Sequence, residues 1–278
     1  MSLDLALRIQ ALCLRLESSA HVRPALDSLA VVIADAVCGS ARPDLAHALA
    51  ESGLGFQIET DHLVLNEHGL TFESRTELLN DAAHWLHEHG FADAWRNELL
   101  AVVADVNQPP VARIERAVCR ALGLTTFAVH LNARSGADLW LARRAAHKAI
   151  DPGMWDTLVG GMVTANESER VALDREAFEE AGLLLSRYNP QPFRRVHVWR
   201  PVPEGYQSEV IRAFDVELPR DVQPVNHDGE VDLIERRSVE SVLDAIDGDT
   251  LTLEAALITL ESLARRTGLT LARGLFFD

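Results

Sequence analysis

Lysine is nearly missing from this sequence: Lys148 is the only one, and every other fixed cation is an arginine. That bias reflects codon composition more than chemistry. Cationic residues as a class are also short, 26 against 42 acidic ones for a net charge of −16, which argues against broad electrostatic capture of nucleic acid or of an anionic membrane surface. An acidic protein that handles phosphates needs local cations. Cysteine is scarce, with Cys13, Cys38 and Cys119 far apart and no CxxC pair. The expectation is three reduced, buried thiols in a cytoplasmic protein and no disulfide framework. Absent too are a basic segment followed by an apolar one at the N-terminus and any apolar run approaching about 18 residues, so neither export nor a membrane span is expected.

What is present is ordinary in bulk and specific in places. The 278 residues are 47% hydrophobic and 24% charged, which fits compact folding, and the length suggests roughly two domains. Residues 1 to about 52 read as helices, with Leu26, Leu29, Val32 and Ile33 at helical spacing. FQIETDHLVL and LTFE around the turn NEHG read as a hairpin. Ser74 with Glu77 reads as a capping box for a helix that runs to Gly90. Pro109-Pro110 then opens a further expected helix, VARIERAVCRAL, ended by Gly123. The domain boundary is placed there, giving an N-terminal α+β domain over 1–122 and a second domain over 123–278.

Beyond the boundary, strands and tight turns predominate. TTFAVHLNA and DLWLARRA flank RSGA as a hairpin, MWDTLVGGMV reads as a third strand, and a helix follows from about Glu167 to Gly182. FRRVHVWRPV and SEVIRAFDVEL read as strands, PRDVQPVNHDGEVD as a polar loop, and RSVESVLDAI and LTLEAALITLESLARRTG as helices. Strands segregated around few helices predict an α+β sandwich and not a doubly wound sheet.

The chemistry concentrates in GMVTANESERVALDREAFEEAGL, from Gly161 to Leu183. On a helix, Glu176, Glu179 and Glu180 fall within roughly a 100° arc. Crowded carboxylates raise one another's pKa unless a cation neutralises them, and hard oxygen ligands suit Mg²⁺ or Mn²⁺. The other face, with Val171, Ala172, Phe178 and Ala181, is expected to pack on the sheet. Glutamate-rich helix faces are usually solvated. What sets this one apart is the spacing of seven fixed identities, Gly161, Glu167, Arg175, Glu176, Glu179, Glu180 and Gly182, whose chance match is on the order of one in a million.

With that spacing the segment resembles the Nudix box, matched at each fixed position. The resemblance implies an α/β/α sandwich with a mixed sheet, preceded here by a smaller α+β domain. It also implies divalent-metal-dependent hydrolysis of a small-molecule diphosphate. By position it makes Glu176, Glu179 and Glu180 metal ligands, with the Gly160 carbonyl beside them, Gly161 and Glu167 as supporting residues, and Arg175 orienting a glutamate. Many family members add a carboxylate from a later loop as ligand or general base, and NHDGEVD offers Glu230 first, with Asp228 and Asp232 behind it. Arg144 and Lys148, entering the catalytic strand with Arg143, are expected at the diphosphate, where a guanidinium can grip phosphate bidentately and an ammonium can add a point charge. Glu179, Glu230 and Arg175 form the expected catalytic set.

The likeness extends outward. LWLARRAAHKAIDPGMWDTLVGGMV, WRNELLAV and IERAVCRALGLTTFAVHLNA look like the Nudix subfamily related to the thiamine pyrophosphokinase-associated domain. It implies thiamine diphosphate or its oxidised analogues as substrate, with ADP-ribose or dinucleotide-type diphosphates as the alternative. The N-terminal domain is then expected to select substrate or to make a homodimer. A loose likeness of RR…K…PGMWD to isopentenyl diphosphate isomerases is opposed by the intact box and by the lack of cysteine after residue 123. A binding module without turnover is opposed by the retained carboxylates.

Overall fold

Apolar residues three and four apart make α1 (Leu3–Ala20), whose Ile9, Leu12, Cys13 and Leu16 are buried. In the computed structural model, which describes residues 3–65, 69–271 and 276–277, the helical expectation for the next segment is overturned. Leu29–Ile33 (β1) and Ala36–Ala41 (β2) form a hairpin. Its turn residues Ala34 and Asp35 have φ of 53° and 57°, as a tight two-residue hairpin turn requires. The β-branched run VVI suits a pleated strand better than a helix, so the spacing of Leu26 to Ile33 was a coincidence of period.

Then come α2 (Pro43–Glu51), β3 (Phe56–Glu59), β4 (His62–Leu65), α3 (Phe72–Glu88), β5 (Leu99–Val102) and β6 (Ala112–Glu115). Strands β2-β1-β4-β3 make one sheet, with β1 and β4 parallel, and β5 and β6 make an antiparallel ribbon. The expected hairpin is displaced: β3 and β4 pair across Thr60-Asp61, and LTFE starts α3, capped by Thr71 and not Ser74. The NEHG turn lies largely outside the described residues. VARIERAVCRAL is likewise not one helix. Its first part is β6, paired with β5, and a short 3-10 turn, Arg116–Val118, follows. Pairing with a distant strand overrides the local preference. Leu45, Leu49, Leu63, Leu79, Leu86 and Ile114 fill the core of this half.

The second half contains β7 (Thr125–Ser135), β8 (Asp138–Arg144), β9 (Trp155–Thr157), β10 (Val159–Met162), α4 (Glu169–Ala181), β11 (Gln191–Val202), β12 (Gly205–Glu217), β13 (Val231–Arg237), α5 (Val239–Asp247), α6 (Leu253–Arg266) and β14 (Phe276–Phe277). The expected third strand is two, β9 on β8 and β10 on β7. The sheet runs β13-β8-β7-β12-β11-β14 and is mixed, because β7 and β12 are parallel. One face carries α4, through Val129, Leu131, Ala172, Leu173 and Ala177. The other carries α1, α5 and α6, through Leu12, Leu16, Ile211, Leu243 and Leu257. The α/β/α sandwich expected from the box is therefore present. The three cysteines are free and buried, and among the described residues no helix is long and apolar enough to cross a membrane.

Although α1 begins the chain, its apolar face belongs to the core of the second half. Each large buried side chain removed costs on the order of 2–5 kcal/mol. A chain starting at residue 22 is therefore expected to melt at least about 10 °C lower than the full chain. Thermal denaturation checks this, and melting within about 2 °C of the full chain contradicts it.

Candidate active site

The helix α4 is bounded as its sequence dictates. Ser168 Oγ accepts a hydrogen bond from Val171 N at 3.3 Å, and Gly182, at φ 63°, takes the left-handed cap. The face it buries is the expected one at Ala172 and Ala181 but not at Val171 and Phe178. Val171 and Phe178 are 55% and 49% exposed, while Ala172, Leu173, Ala177 and Ala181 pack on the sheet. Small residues let the helix lie close, and the closeness draws glutamates inward. Glu180 is only 6% exposed, and its Oε2 accepts from Gly160 N at 2.9 Å.

Gly161 explains why Glu176 fits. A Cβ on Gly161 would lie 2.0 Å from Cδ of Glu176 and 2.1 Å from its Oε1, so the carboxylate occupies the space a side chain would need. The glycine serves close approach here and not a turn. Arg175 ties the assembly together. Its Nη2 and Nε donate to Glu167 at 2.7 and 3.3 Å, its Nη1 donates to Glu176 Oε1 at 2.7 Å and Glu179 Oε2 at 3.3 Å, and Nη2 also reaches the Met162 carbonyl. Glu167 in turn accepts from Thr164 N at 2.9 Å, which fixes the loop between β10 and α4.

Electrostatics separates these acids. Burial pushes Glu176 up to about 7, against the opposing pull of Arg175, with Glu179 and Glu230 adding repulsion. Burial also raises Glu180 well above the carboxylate range, and the charges of Glu176 and Asp156 reinforce it. Glu167 behaves oppositely: burial would raise it, but hydrogen bonds from Arg175 and Thr164 outweigh that and lower it. The same contacts, led by the hydrogen bond to Glu167, raise Arg175 further.

A narrow cleft beside the helix is lined by Arg144, Lys148, Asp156, Gly160, Glu180 and Glu230. Lys148 Nζ is ion-paired with Glu230 Oε2. Burial of Glu230 favours the neutral acid, but the hydrogen bond and charge of Lys148 prevail and lower its pKa. Arg144 donates twice to the Ile150 carbonyl, at 3.2 and 2.9 Å, and once to Asp156 Oδ2 at 3.2 Å. Asp228 accepts from Glu230 N, and Asp232 accepts from Ala146 N, so both shape the loop. Arg143, on the opposite face of β8 from Arg144 as strand alternation requires, lies over Trp155, while Trp199 stacks on His21 at 3.6 Å.

Two residues of this neighbourhood escaped the sequence reading. Asp156 is buried next to Arg144, and His130 Nδ1 lies 2.9 Å from Thr157 Oγ1 and 3.5 Å from Asp156 Oδ1. Burial lowers the His130 pKa despite Asp156, keeping the ring neutral. A carboxylate inside the buried strand Trp155–Thr157 was the available signal. Among the described residues, no three His, Cys, Asp or Glu side chains already converge on one point: Glu179 is turned to Arg175 and Glu230 to Lys148. A larger cavity of about 290 Å³, between α1 and the start of α6, contains none of the expected site residues.

Residues 122–254 match the family model NUDIX domain, and residues 12–126 match Domain of unknown function (DUF4743). The chain is similar to Nudix hydrolase 24, chloroplastic, of Arabidopsis thaliana, with 30% identity over 200 residues, covering 66% of this chain and 52% of the relative. It is also similar to Nudix hydrolase 20, chloroplastic, of the same plant, with 30% identity over 179 residues, covering 63% of this chain and 48% of the relative. The chain thus spans about half the length of these curated relatives. Among solved structures, DR0079 from Deinococcus radiodurans aligns with a TM-score of 0.47 at 23% identity, covering 61% of this chain and 98% of that one.

Proposed function

We propose that this chain, whose residues 122–254 match the NUDIX domain, is a divalent-metal-dependent hydrolase that splits the phosphoanhydride bond of a small-molecule diphosphate. The observation that carries this reading is the pair of carboxylates, half-buried Glu176 and buried Glu180, held against strand β10 at Gly161 and Gly160. Side by side and out of water, two carboxylates oppose each other's ionisation. A hard cation among them removes that cost, and a donor set of carboxylates and a backbone carbonyl suits Mg²⁺ or Mn²⁺. Glu176, Glu179, Glu180 and the Gly160 carbonyl are the residues to hold it, and when bound it supplies charge neutralisation at the phosphates and a more acidic water.

The chain's own residues do the rest. Arg175, gripped by Glu167, orients Glu176 and Glu179 and keeps the box loop in place. Lys148 holds Glu230 ionised beside the cleft, where the carboxylate accepts the proton of the attacking water. Lys148 and Arg144 face the phosphates. Arg144 spans Ile150 and Asp156 at once, which an ammonium does not reproduce, so Arg144→Lys is expected to lower kcat/KM about tenfold. Steady-state kinetics checks this, and an unchanged kcat/KM removes Arg144 from the cleft's working parts.

For the organic moiety we favour the cationic heterocycle of thiamine diphosphate or its oxidised forms. That choice follows from the likeness of LWLARRAAHKAIDPGMWDTLVGGMV and WRNELLAV to the thiamine pyrophosphokinase-associated subfamily. We assign substrate selection or dimerisation to residues 1–122, except that α1 packs in the core of the hydrolase domain, 123–278, and infer a reducing cytoplasmic setting from the free thiols. The test is phosphate or nucleotide release from thiamine diphosphate, its oxidised forms, ADP-ribose and dinucleotides, each with and without Mg²⁺. Mg²⁺-dependent cleavage of the thiamine compounds is expected. Preference for ADP-ribose or a dinucleotide replaces the substrate assignment, and no metal-dependent cleavage of any of them defeats the hydrolase reading.

A further inference from the structure

The cleft's own cations are already engaged, Lys148 with Glu230 and Arg144 with Asp156 and Ile150. A diphosphate approaching a chain of net charge −16 meets few free positive groups there. The N-terminal region adds two arginines beside the box loop, Arg96 with a side chain free among the described residues and Arg116 paired with Glu98. The Leu99 carbonyl, at the start of β5, accepts from Ala165 N of the box loop at 2.8 Å, so the two halves are bonded beside the catalytic segment. Just before β5, the loop is clamped from below by Glu115, which is 1% exposed and accepts from Arg96 N at 2.9 Å, Glu98 N at 3.0 Å and Ala117 N at 3.4 Å.

A carboxylate buried that deeply and satisfied by three backbone donors fixes the loop's course. Two arginines stand here, Arg96 on the loop and Arg116 on the 3-10 turn that follows β6. Arg116 Nη1 is held by Glu98 Oε2 at 2.7 Å. Arg96 is exposed, and no hydrogen bond or ion pair engages its side chain among the described residues. Leu99 pairs with Glu115 across β5 and β6 and the Glu98 carbonyl accepts from Arg116 N at 2.8 Å, so Arg96 and Arg116 flank the Leu99–Ala165 bond at the box loop, and the charge of both favours ionised Glu230.

We propose that the N-terminal region completes the active site, with Arg96 and Arg116 drawing in and gripping the anionic diphosphate while Glu115 positions them. The inference rests on the diphosphate-cleaving reading above. A guanidinium fork matches phosphate oxygens, and a local positive patch on an acidic protein steers an anion to it. It also gives the region matched by the domain of unknown function a role in binding substrate.

The test uses the full-length protein and its Arg96→Gln, Arg96→Lys and Arg96→Gln/Arg116→Gln variants. KM for the preferred diphosphate is expected to rise about tenfold in the double variant with kcat changed less than about threefold. Arg96→Lys should recover most of the loss at that position, and kcat/KM should fall less steeply with ionic strength once the charges are gone. Wild-type KM and an unchanged salt dependence in both glutamine variants overturn the proposal. Arg96→Gln alone is decisive if Arg116→Gln disturbs folding, because the Arg96 side chain holds nothing together. Should the wild-type protein cleave no diphosphate, the hydrolase reading fails by itself. Inorganic diphosphate titrated calorimetrically in Mg²⁺ then reads the arginines directly: about tenfold weaker binding in the variants supports their role, and equal affinity refutes it.

Discussion

Glu180→Gln is expected to cut turnover at least about 100-fold and, at the same time, to leave the metal-free protein as stable as before or more so. The two effects have one cause. Glutamine keeps the volume and an oxygen for the Gly160 N–H, so β10 and the helix stay packed, but the anionic ligand is gone. The stability sign follows from burial, which raises the folded-state pKa of Glu180 above the ordinary 4.5. The folded state then holds this proton more tightly than the unfolded chain does, so ionising Glu180 destabilises the fold increasingly as pH rises above about 4.5. The neutral glutamine escapes that penalty. Melting curves at pH 8 without metal, read beside kcat, check both signs. Near-normal turnover removes Glu180 from the site, and a large drop in stability makes its role structural.

The second large effect is at Gly161. Alanine places a methyl 2.0 Å from Cδ of Glu176, a distance no pair of carbons tolerates. Either β10 or the Glu176 side chain must move. Overpacking of this kind costs about 1–3 kcal/mol, and displacement of a ligand by an ångström costs about 100-fold in rate. Gly161→Ala should therefore lose at least about 100-fold in kcat/KM with a modest fall in melting temperature. Normal kinetics in the variant shows that Glu176 does not need the space it occupies here.

The site was more legible in the sequence than the fold around it. Spacing along one short segment is local information, so the clustering of Glu167, Arg175, Glu176 and Glu179 could be read off, as could the long strands β11 and β12 and the helices α5 and α6. The sense in which the helix is buried was only partly legible. Of the expected packing face Ala172 and Ala181 are inside, but Val171 and Phe178 are exposed and Ala177 and Glu180 take their place, because here the helix meets the sheet through a carboxylate that bonds to Gly160 of β10. Short apolar runs such as LAVVI satisfy helix and strand periods alike over so few residues, and only β2 and β4 beside them settle the matter. Asp156 and His130 meet through β7 and β9, 26 positions apart in the chain. The reach of Glu115 to Arg96 depends on β5 pairing with β6. Neither contact leaves a periodic mark.

Turnover alone leaves the ion's position inferred, so the most direct measurement is Mn²⁺ binding followed by electron paramagnetic resonance in the full-length protein and in Glu176→Gln and Glu180→Gln. The account predicts Mn²⁺ bound by the wild-type protein and displaced by Mg²⁺, with affinity at least tenfold weaker in either variant. Equal Mn²⁺ affinity in all three proteins would place the cation elsewhere and contradict it.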